Sequence, residues 1–300
     1  MITAGIVLVV GISAVEQRFN LSSLPKPGEE IDAFSAQTGF GGAAANVAHT
    51  LAILGSPVKY VGAFPDSPEG HSAKCALEEV GVDLSGSVLL PATDAPRTVH
   101  LVSSSGEFVT VTHKPVAFGI KARVLEDAWS DDVNIVYSDG LEFDASLTAT
   151  GLAESSNKEF AIGVEDGDER YLRLIERSQH VIGPARPILN LTNESLMRAA
   201  LDNLWVDQQH VMICAIDAEI RAEFRDRTGY GMVSAKPSAW VDKSGAIDVF
   251  RGAYIAGHLA GKTTRWSLEF AAEVAGIKCG QLGARIVPSS IGAHTKSLRK

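Results

Sequence analysis

Short, largely apolar runs alternate with helix-length segments along most of this chain. Ile6–Val10, Val58–Val61, Val133–Tyr137, Phe160–Val164, Val181–Ile182 and Val211–Ile216 read as strands. Ile6–Val10 has no polar residue to turn toward water, so it must be covered on both faces. Repeated β-then-α units predict a mostly parallel sheet with helices on either side. A chain of 300 residues can bury a full core of this kind without disulfides or metals.

The helical segments carry their own punctuation. Ala43 to Leu54 places Val47, Leu51 and Leu54 on one side, and Gly55 suits the position just past its end. Ser67-Pro68-Glu69 reads as an N-cap, a first-turn proline and an acidic first turn, and that helix stops at Gly81. Thr98–Ser103 and Phe108–Thr112 break the alternation. They read as a hairpin joined by Ser104-Ser105-Gly106-Glu107, lying outside the main sheet as a flap or lid. Two helices, Ile247–Leu259 and Trp266–Cys279, broken by Gly261, close the chain.

Charge and composition limit the partners. The net charge is 27 − 36 = −9, so nucleic acid and anionic membranes are repelled on average. An anionic small molecule is still admissible, because a helix N-terminus binds phosphate locally. The apolar run Ala4–Val15 is too short to span a bilayer, and no basic residue precedes it before Arg18. Cys75, Cys214 and Cys279 are odd in number and widely spaced, which fits a cytoplasmic chain rather than a disulfide framework. The eight histidines show no metal-ligand spacing, so no metal site is expected. Glu165, Asp166, Asp168 and Glu169 read as a solvated turn around Gly167.

Two local features carry chemistry. In Gly39-Phe40-Gly41-Gly42-Ala43-Ala44-Ala45-Asn46, the paired glycines allow close approach to backbone. Asn46 offers a donor and an acceptor to a hydroxylated ligand. The second feature is Asp242-Lys243-Ser244-Gly245-Ala246-Ile247-Asp248, a glycine turn opening a helix. Its free N–H groups would converge on an anion, and Asp248 could take a proton from a hydroxyl. Each feature alone is better read as packing glycines or an N-cap.

Taken together, their order and spacing resemble the ribokinase/PfkB family of small-molecule kinases. The resemblance runs from Val9-Val10-Gly11 through Pro25-Lys26-Pro27-Gly28-Glu29, Gly41 to Ala48, Leu54-Gly55, Gly62, Asp66 with Gly70, and Gly81-Val82-Asp83, and closes with Asp242 to Asp248. It implies a Rossmann-like three-layer α/β/α core over residues 1–300, with a small β lid inserted at about 13–38 and 95–114. It implies an ATP-dependent phosphotransferase acting on a sugar or nucleoside hydroxyl, with Mg2+ accompanying ATP. Asp248 matches the general base, and Gly245, Ala246 and Ile247 match the anion hole. Gly41, Gly42 and Asn46 match the sugar-contacting loop, with Glu16 where relatives place an Asp. Arg97, at the start of the lid, is a candidate for an anionic substrate, and the lid is a candidate homodimer contact. Asp242, Lys243 and Ser244 fall on the nucleotide side.

The departures also cluster on the nucleotide side. Ala185 and Ile188 stand where the family usually has Asn and Glu, and the segment Cys214 to Ile220 lacks the usual glycines. Asp217 and Glu219 would put negative charge near a triphosphate. Ile247 replaces a usual glycine and disfavours positive φ. Lys243 is read either as a charge for phosphate or a monovalent-cation substitute, or as a solvated surface residue. These departures define an alternative: a catalytically impaired protein of the same fold that binds a sugar-like ligand.

Overall fold

A computed structural model describes residues 5–90, 96–105, 108–113, 119–207, 209–237, 239–292 and 297–298. The chain opens with β1 (Ile6–Val10), β2 (Ala14–Leu21) and β3 (Ser35–Gly41), then α1 (Ala43–Ile53), β4 (Val58–Val61), β5 (Ala63–Pro65) and α2 (Pro68–Glu78). Next come β6 (Val88–Leu90), β7 (Arg97–Ser103), β8 (Phe108–His113), α3 (Ala122–Ala128) and β9 (Val133–Ser138). They are followed by α4 (Phe143–Ser155), β10 (Glu159–Gly163), α5 (Arg170–Ile175), β11 (His180–Pro184), α6 (Ala185–Thr192) and α7 (Met197–Leu204). β12 (Met212–Ile216), β13 (Arg221–Asp226) and β14 (Gly229–Ser234) precede α8 (Ala246–Leu259) and α9 (Thr264–Cys279).

The central sheet has eight strands in the order β14-β13-β12-β11-β10-β9-β1-β4. All pairings from β12 to β4 are parallel, while β13 and β14 add antiparallel at one edge. The sequence showed no strand at 221–234. There Ala222 and Phe224 are buried while Arg221 is exposed, the alternation of an edge hairpin covered on one face.

β1 shows why a continuous apolar run was required. Val7 and Val9 join the core under α1, α8 and α9, whereas Leu8 and Val10 join the opposite core under α4. All four are fully buried, each worth roughly 1.5–3 kcal/mol of apolar transfer. The layers are therefore α/β/α. Among the described residues no helix is long and apolar enough to cross a membrane.

A separate four-stranded sheet, ordered β3-β2-β7-β8, stands beside this core. It pairs the segment after β1 with the hairpin expected from sequence, β2 and β7 running parallel from Val15↔Arg97 to Leu21↔Ser103. Gly106 and Glu107 of the expected hairpin turn lie outside the described residues.

Candidate active site at the carboxyl ends of the strands

The strand order reverses between β1 and β9, and in open parallel sheets ligands bind beyond the strand carboxyl ends at such a point. Asp139, immediately after β9, is fully buried there. Its carboxylate accepts from the amides of Ile12 at 3.0 Å, Leu141 at 3.1 Å and Ala44 at 3.3 Å. It thereby ties the exit of β1 to the start of α1. Burial pushes its pKa up to about 6 against those three donors. Nothing in the local sequence around Asp139 signals this role.

α1 and α8 cross closely over the sheet. Gly252 permits the approach, since an added Cβ would lie 2.8 Å from the Thr50 side chain. The crossing brings Asn46 of α1 to Asp248 of α8, with Nδ2 donating to Oδ2 at 3.0 Å. Asn46 Oδ1 in turn accepts from Nε of Arg285 at 3.2 Å. Asn46 is only 2% exposed, so both ends of its amide face protein partners. It is expected from sequence to meet the ligand; in the structure its amide lies between Asp248 and Arg285.

The other Asp248 oxygen accepts from Arg251 Nη1 at 2.9 Å. Arg251 is fully buried. It also donates to Glu165, to the Val164 carbonyl at 2.7 Å and to the Ile182 carbonyl at 3.3 Å. One guanidinium thus ties α8 to the ends of β10 and β11. Burial raises the pKa of Asp248, with Arg251 and Asn46 opposing it. Burial likewise pushes Glu165 up to about 8. Glu165 is therefore no part of a solvated turn, while Asp166 remains exposed and Asp168 pairs with Arg170. A signal for Arg251 was available: a charge inside the apolar stretch Val249 to Tyr254 needs buried partners.

The start of α8 forms the expected glycine turn opening a helix. Gly245 is its N-cap in the left-handed region, φ 67°. A Cβ there would meet the Ala284 carbonyl oxygen at 2.0 Å, so only glycine fits. The Ala246 amide donates back to the Lys243 carbonyl at 3.2 Å. The amides of Gly245, Ile247 and Asp248 have no hydrogen-bond partner among the described residues, as the first N–H groups of a helix should. Ile247 already has helical backbone and is not among the residues with positive φ, so its bulk strains nothing.

Asp242 organises the loop before that turn. Its carboxylate accepts from the Ser244 amide and hydroxyl at 2.9 and 2.7 Å and from the Gly283 amide at 2.9 Å. It also pairs with Arg18 of β2. The fully buried Lys278 donates to the Asp242 carbonyl at 2.6 Å. Burial acts to raise the Asp242 pKa, but Lys278, Ser244 and Arg18 hold it below the ordinary value. Lys243 instead reaches Glu219 at 3.0 Å and lies 4.2 Å over the Trp240 ring. Asp217 pairs with Arg221 at 2.9 Å. Both acids that threatened a triphosphate are thus answered by basic partners. Ile188 is fully buried in the core, and Ala185 opens α6.

A cavity of about 510 Å³ lies beside this turn. Glu16, Arg18, Gly39, His49, Asp242 and Arg285 are among its walls. Gly41 and Gly42 sit just behind it: a Cβ on Gly41 would overlap the Glu16 carboxylate, and one on Gly42 would meet the Ile12 carbonyl at 2.4 Å. The Glu16 pKa is pushed up to about 7, first by burial and then by Asp248, against the Gly42 amide and Arg285. Arg97 does not line the cavity; its charge acts on Glu69 at the start of α2.

Sequence reasoning also missed Arg285. Its Nη2 is buried without a hydrogen-bond partner, and no carboxylate among the described residues comes within ion-pair distance. Burial brings its pKa down to about 10, so it stays cationic near neutrality. The neighbouring His49 is held neutral, its pKa lowered to about 3 by burial and by Arg285.

With this geometry in place, the resemblance extends beyond motifs. Residues 6–171 match the family described as pfkB family carbohydrate kinase. The ATP-dependent ribose-1-phosphate kinase of Halopiger xanaduensis is 24% identical over 272 residues, covering 89% of each chain. The ribokinase of Arabidopsis thaliana, solved with ribose and ATP, superposes with a TM-score of 0.81 at 20% identity, over 98% of this chain and 99% of that one. The adenosine kinase of Sinorhizobium meliloti gives a TM-score of 0.82 at 20% identity, over 98% of this chain and all (100%) of that one.

Proposed function

Because the chain belongs to the pfkB family of carbohydrate kinases, we propose that it transfers the γ-phosphoryl group of ATP to a sugar or nucleoside hydroxyl, with Asp248 as general base. The observation that supports this most is the first turn of α8. It places a carboxylate and free backbone amides within four consecutive residues, beside the cavity. In the reaction, Asp248 accepts the hydroxyl proton as the acceptor oxygen bonds to the γ-phosphorus. The bond from that phosphorus to ADP breaks, and the amides of Gly245 and Ile247 stabilise the charge on the moving group.

The α8 amides fit a phosphoryl group. No group of three His, Cys, Asp or Glu ligand atoms gathers at this site among the described residues. Mg2+ would arrive with the nucleotide, held mainly by phosphate oxygens and water.

Arg285 refines the acceptor. A cationic guanidinium with a buried, unpartnered nitrogen on the cavity wall is costly unless a ligand supplies the anion. We assign the acceptor a phosphate or similar anionic group, in keeping with the name of the Halopiger relative. The β2-β3-β7-β8 sheet is assigned as a lid, since Arg18 on β2 reaches Asp242 beside the cavity. Val109 and Val111, exposed on its edge strand, make it the candidate homodimer face, to be tested by sedimentation velocity. Three unpaired cysteines suit a cytoplasmic location.

The test is ADP release over a panel of ribose, its phosphates and nucleosides. Phosphorylated acceptors should be favoured, and Arg285→Gln should remove that preference, read as the ratio of kcat/KM for phosphorylated to unphosphorylated acceptors. Asp248→Asn should abolish turnover and spare acceptor binding. The alternative, a ligand-binding protein with impaired transfer, draws on the Arg251 guanidinium sitting on the base. A counter-charge there weakens proton uptake. Calorimetry with Mg–ATP separates the two, since absence of binding at millimolar concentration would rule out the kinase reading.

A further inference from the structure

At the amino ends of the strands, opposite the end where Asp248 lies, three residues with no sequence relation converge. Glu159 begins β10, His180 begins β11, and His258 lies in the last turn of α8. Nε2 of His180 is 3.2 Å, and Nε2 of His258 2.6 Å, from the same carboxylate oxygen, Oε2 of Glu159. The three ligand atoms all fall within 4.8 Å of one another. We propose that Glu159, His180 and His258 form a binding site for a divalent transition-metal ion of the zinc type.

Several independent features fit such an ion. Zinc–ligand bonds of about 2.0–2.2 Å put tetrahedral donors roughly 3.3 Å apart, and both histidine nitrogens lie at 2.6–3.2 Å from the shared Glu159 oxygen. Two imidazoles and one carboxylate suit zinc, cobalt or nickel, and not magnesium, which requires oxygen ligands. This site is therefore distinct in chemistry from anything the nucleotide brings. His180 is fully buried. Its other nitrogen, Nδ1, lies 2.9 Å from the Tyr254 hydroxyl, which can fix the tautomer that presents Nε2 to a metal. Glu159 and His258 are partly exposed, at 40% and 23%, which gives the ion a way in and a position for water. The carboxyl end of α8 adds the negative pole of the helix dipole.

The site would tie together two strands and the helix that carries Asp248. Asp248 and His258 are ten residues apart on α8, about 15 Å along its axis. The ion is thus too distant to touch substrate and acts as a structural tie.

The test uses tag-free protein stripped with a chelator and titrated with Co2+, whose visible absorption reports nitrogen ligation, followed by displacement with Zn2+. One equivalent per chain should bind and raise the melting temperature. His258→Ala and Glu159→Gln, both partly exposed and checked for fold by circular dichroism, should each weaken binding at least tenfold. The absence of any cobalt band, or equal cobalt affinity in wild type and both variants, overturns the proposal.

Discussion

Replacing Glu16 by Gln should stabilise the protein at alkaline pH and leave it unchanged in acid. The Glu16 carboxyl is raised from its ordinary 4.5 to about 7, chiefly by burial and by the Asp248 charge. A carboxylate raised in the folded state binds its proton more tightly there than in the unfolded chain. Its contribution is therefore neutral below 4.5, becomes steadily more unfavourable between 4.5 and 7, and is constant above 7. A displacement of about 2.5 pH units corresponds to at most ~3.4 kcal/mol once the group is fully ionised. Partial exposure of the side chain toward the cavity screens it, leaving about 1–2 kcal/mol. For a chain of this size that is roughly 2–6 °C in melting temperature. Gln keeps an acceptor for the Gly42 amide and removes only the charge. The assay is thermal unfolding of wild type and Glu16→Gln from pH 5 to 8.5. The gain should grow from pH 5 to about 7 and level off above that. A variant that is no more stable at pH 8.5, or a gain independent of pH, would show that Glu16 is not held against ionisation.

Other expectations follow from single contacts. Gly245→Ala meets both a left-handed φ and the Ala284 carbonyl, so it should cost at least about 1–3 kcal/mol and displace the anion-binding amides. Denaturant unfolding and ADP release measure the two effects. Arg251→Met leaves Asp248 and Glu165 buried beside each other without a counter-charge, and should lower stability by about 3–5 kcal/mol in urea titrations near neutral pH. Lys278→Met removes the ammonium from the Asp242 carbonyl but leaves Arg18 in place. A smaller loss, about 1–3 kcal/mol, is expected, together with a raised KM for ATP in kinetics.

Much of the architecture was legible because the signals were local. Each half of β1 had to face a core, and the glycine and proline punctuation around α1 and α2 marked their ends. The edge hairpin β13–β14 was not legible: its strands carry Arg221, Glu223 and Arg225 on the open face, which reads as a polar segment until Ala222 and Phe224 are seen against the core. Asp248, Gly245 and the Gly41–Gly42 turn were singled out by glycine placement and by the family resemblance. Arg97 was favoured as an anion contact from its place in the lid, yet the cavity presents Arg18 and Arg285.

The sequence by itself settled the layered α/β architecture, the family resemblance and the position of the glycine turn at the start of α8, since periodicity and glycine placement act over a few residues. Only the tertiary structure decided what surrounds that turn. Asn46 and Asp248 are 202 residues apart, Asn46 and Arg285 are 239, and Arg251 and Glu165 are 86. Those partners meet only because α1 and α8 cross where Gly252 allows it, and because parallel strands deliver their carboxyl ends to one edge. Charge state and pairing depend on that meeting, and no local pattern encodes it.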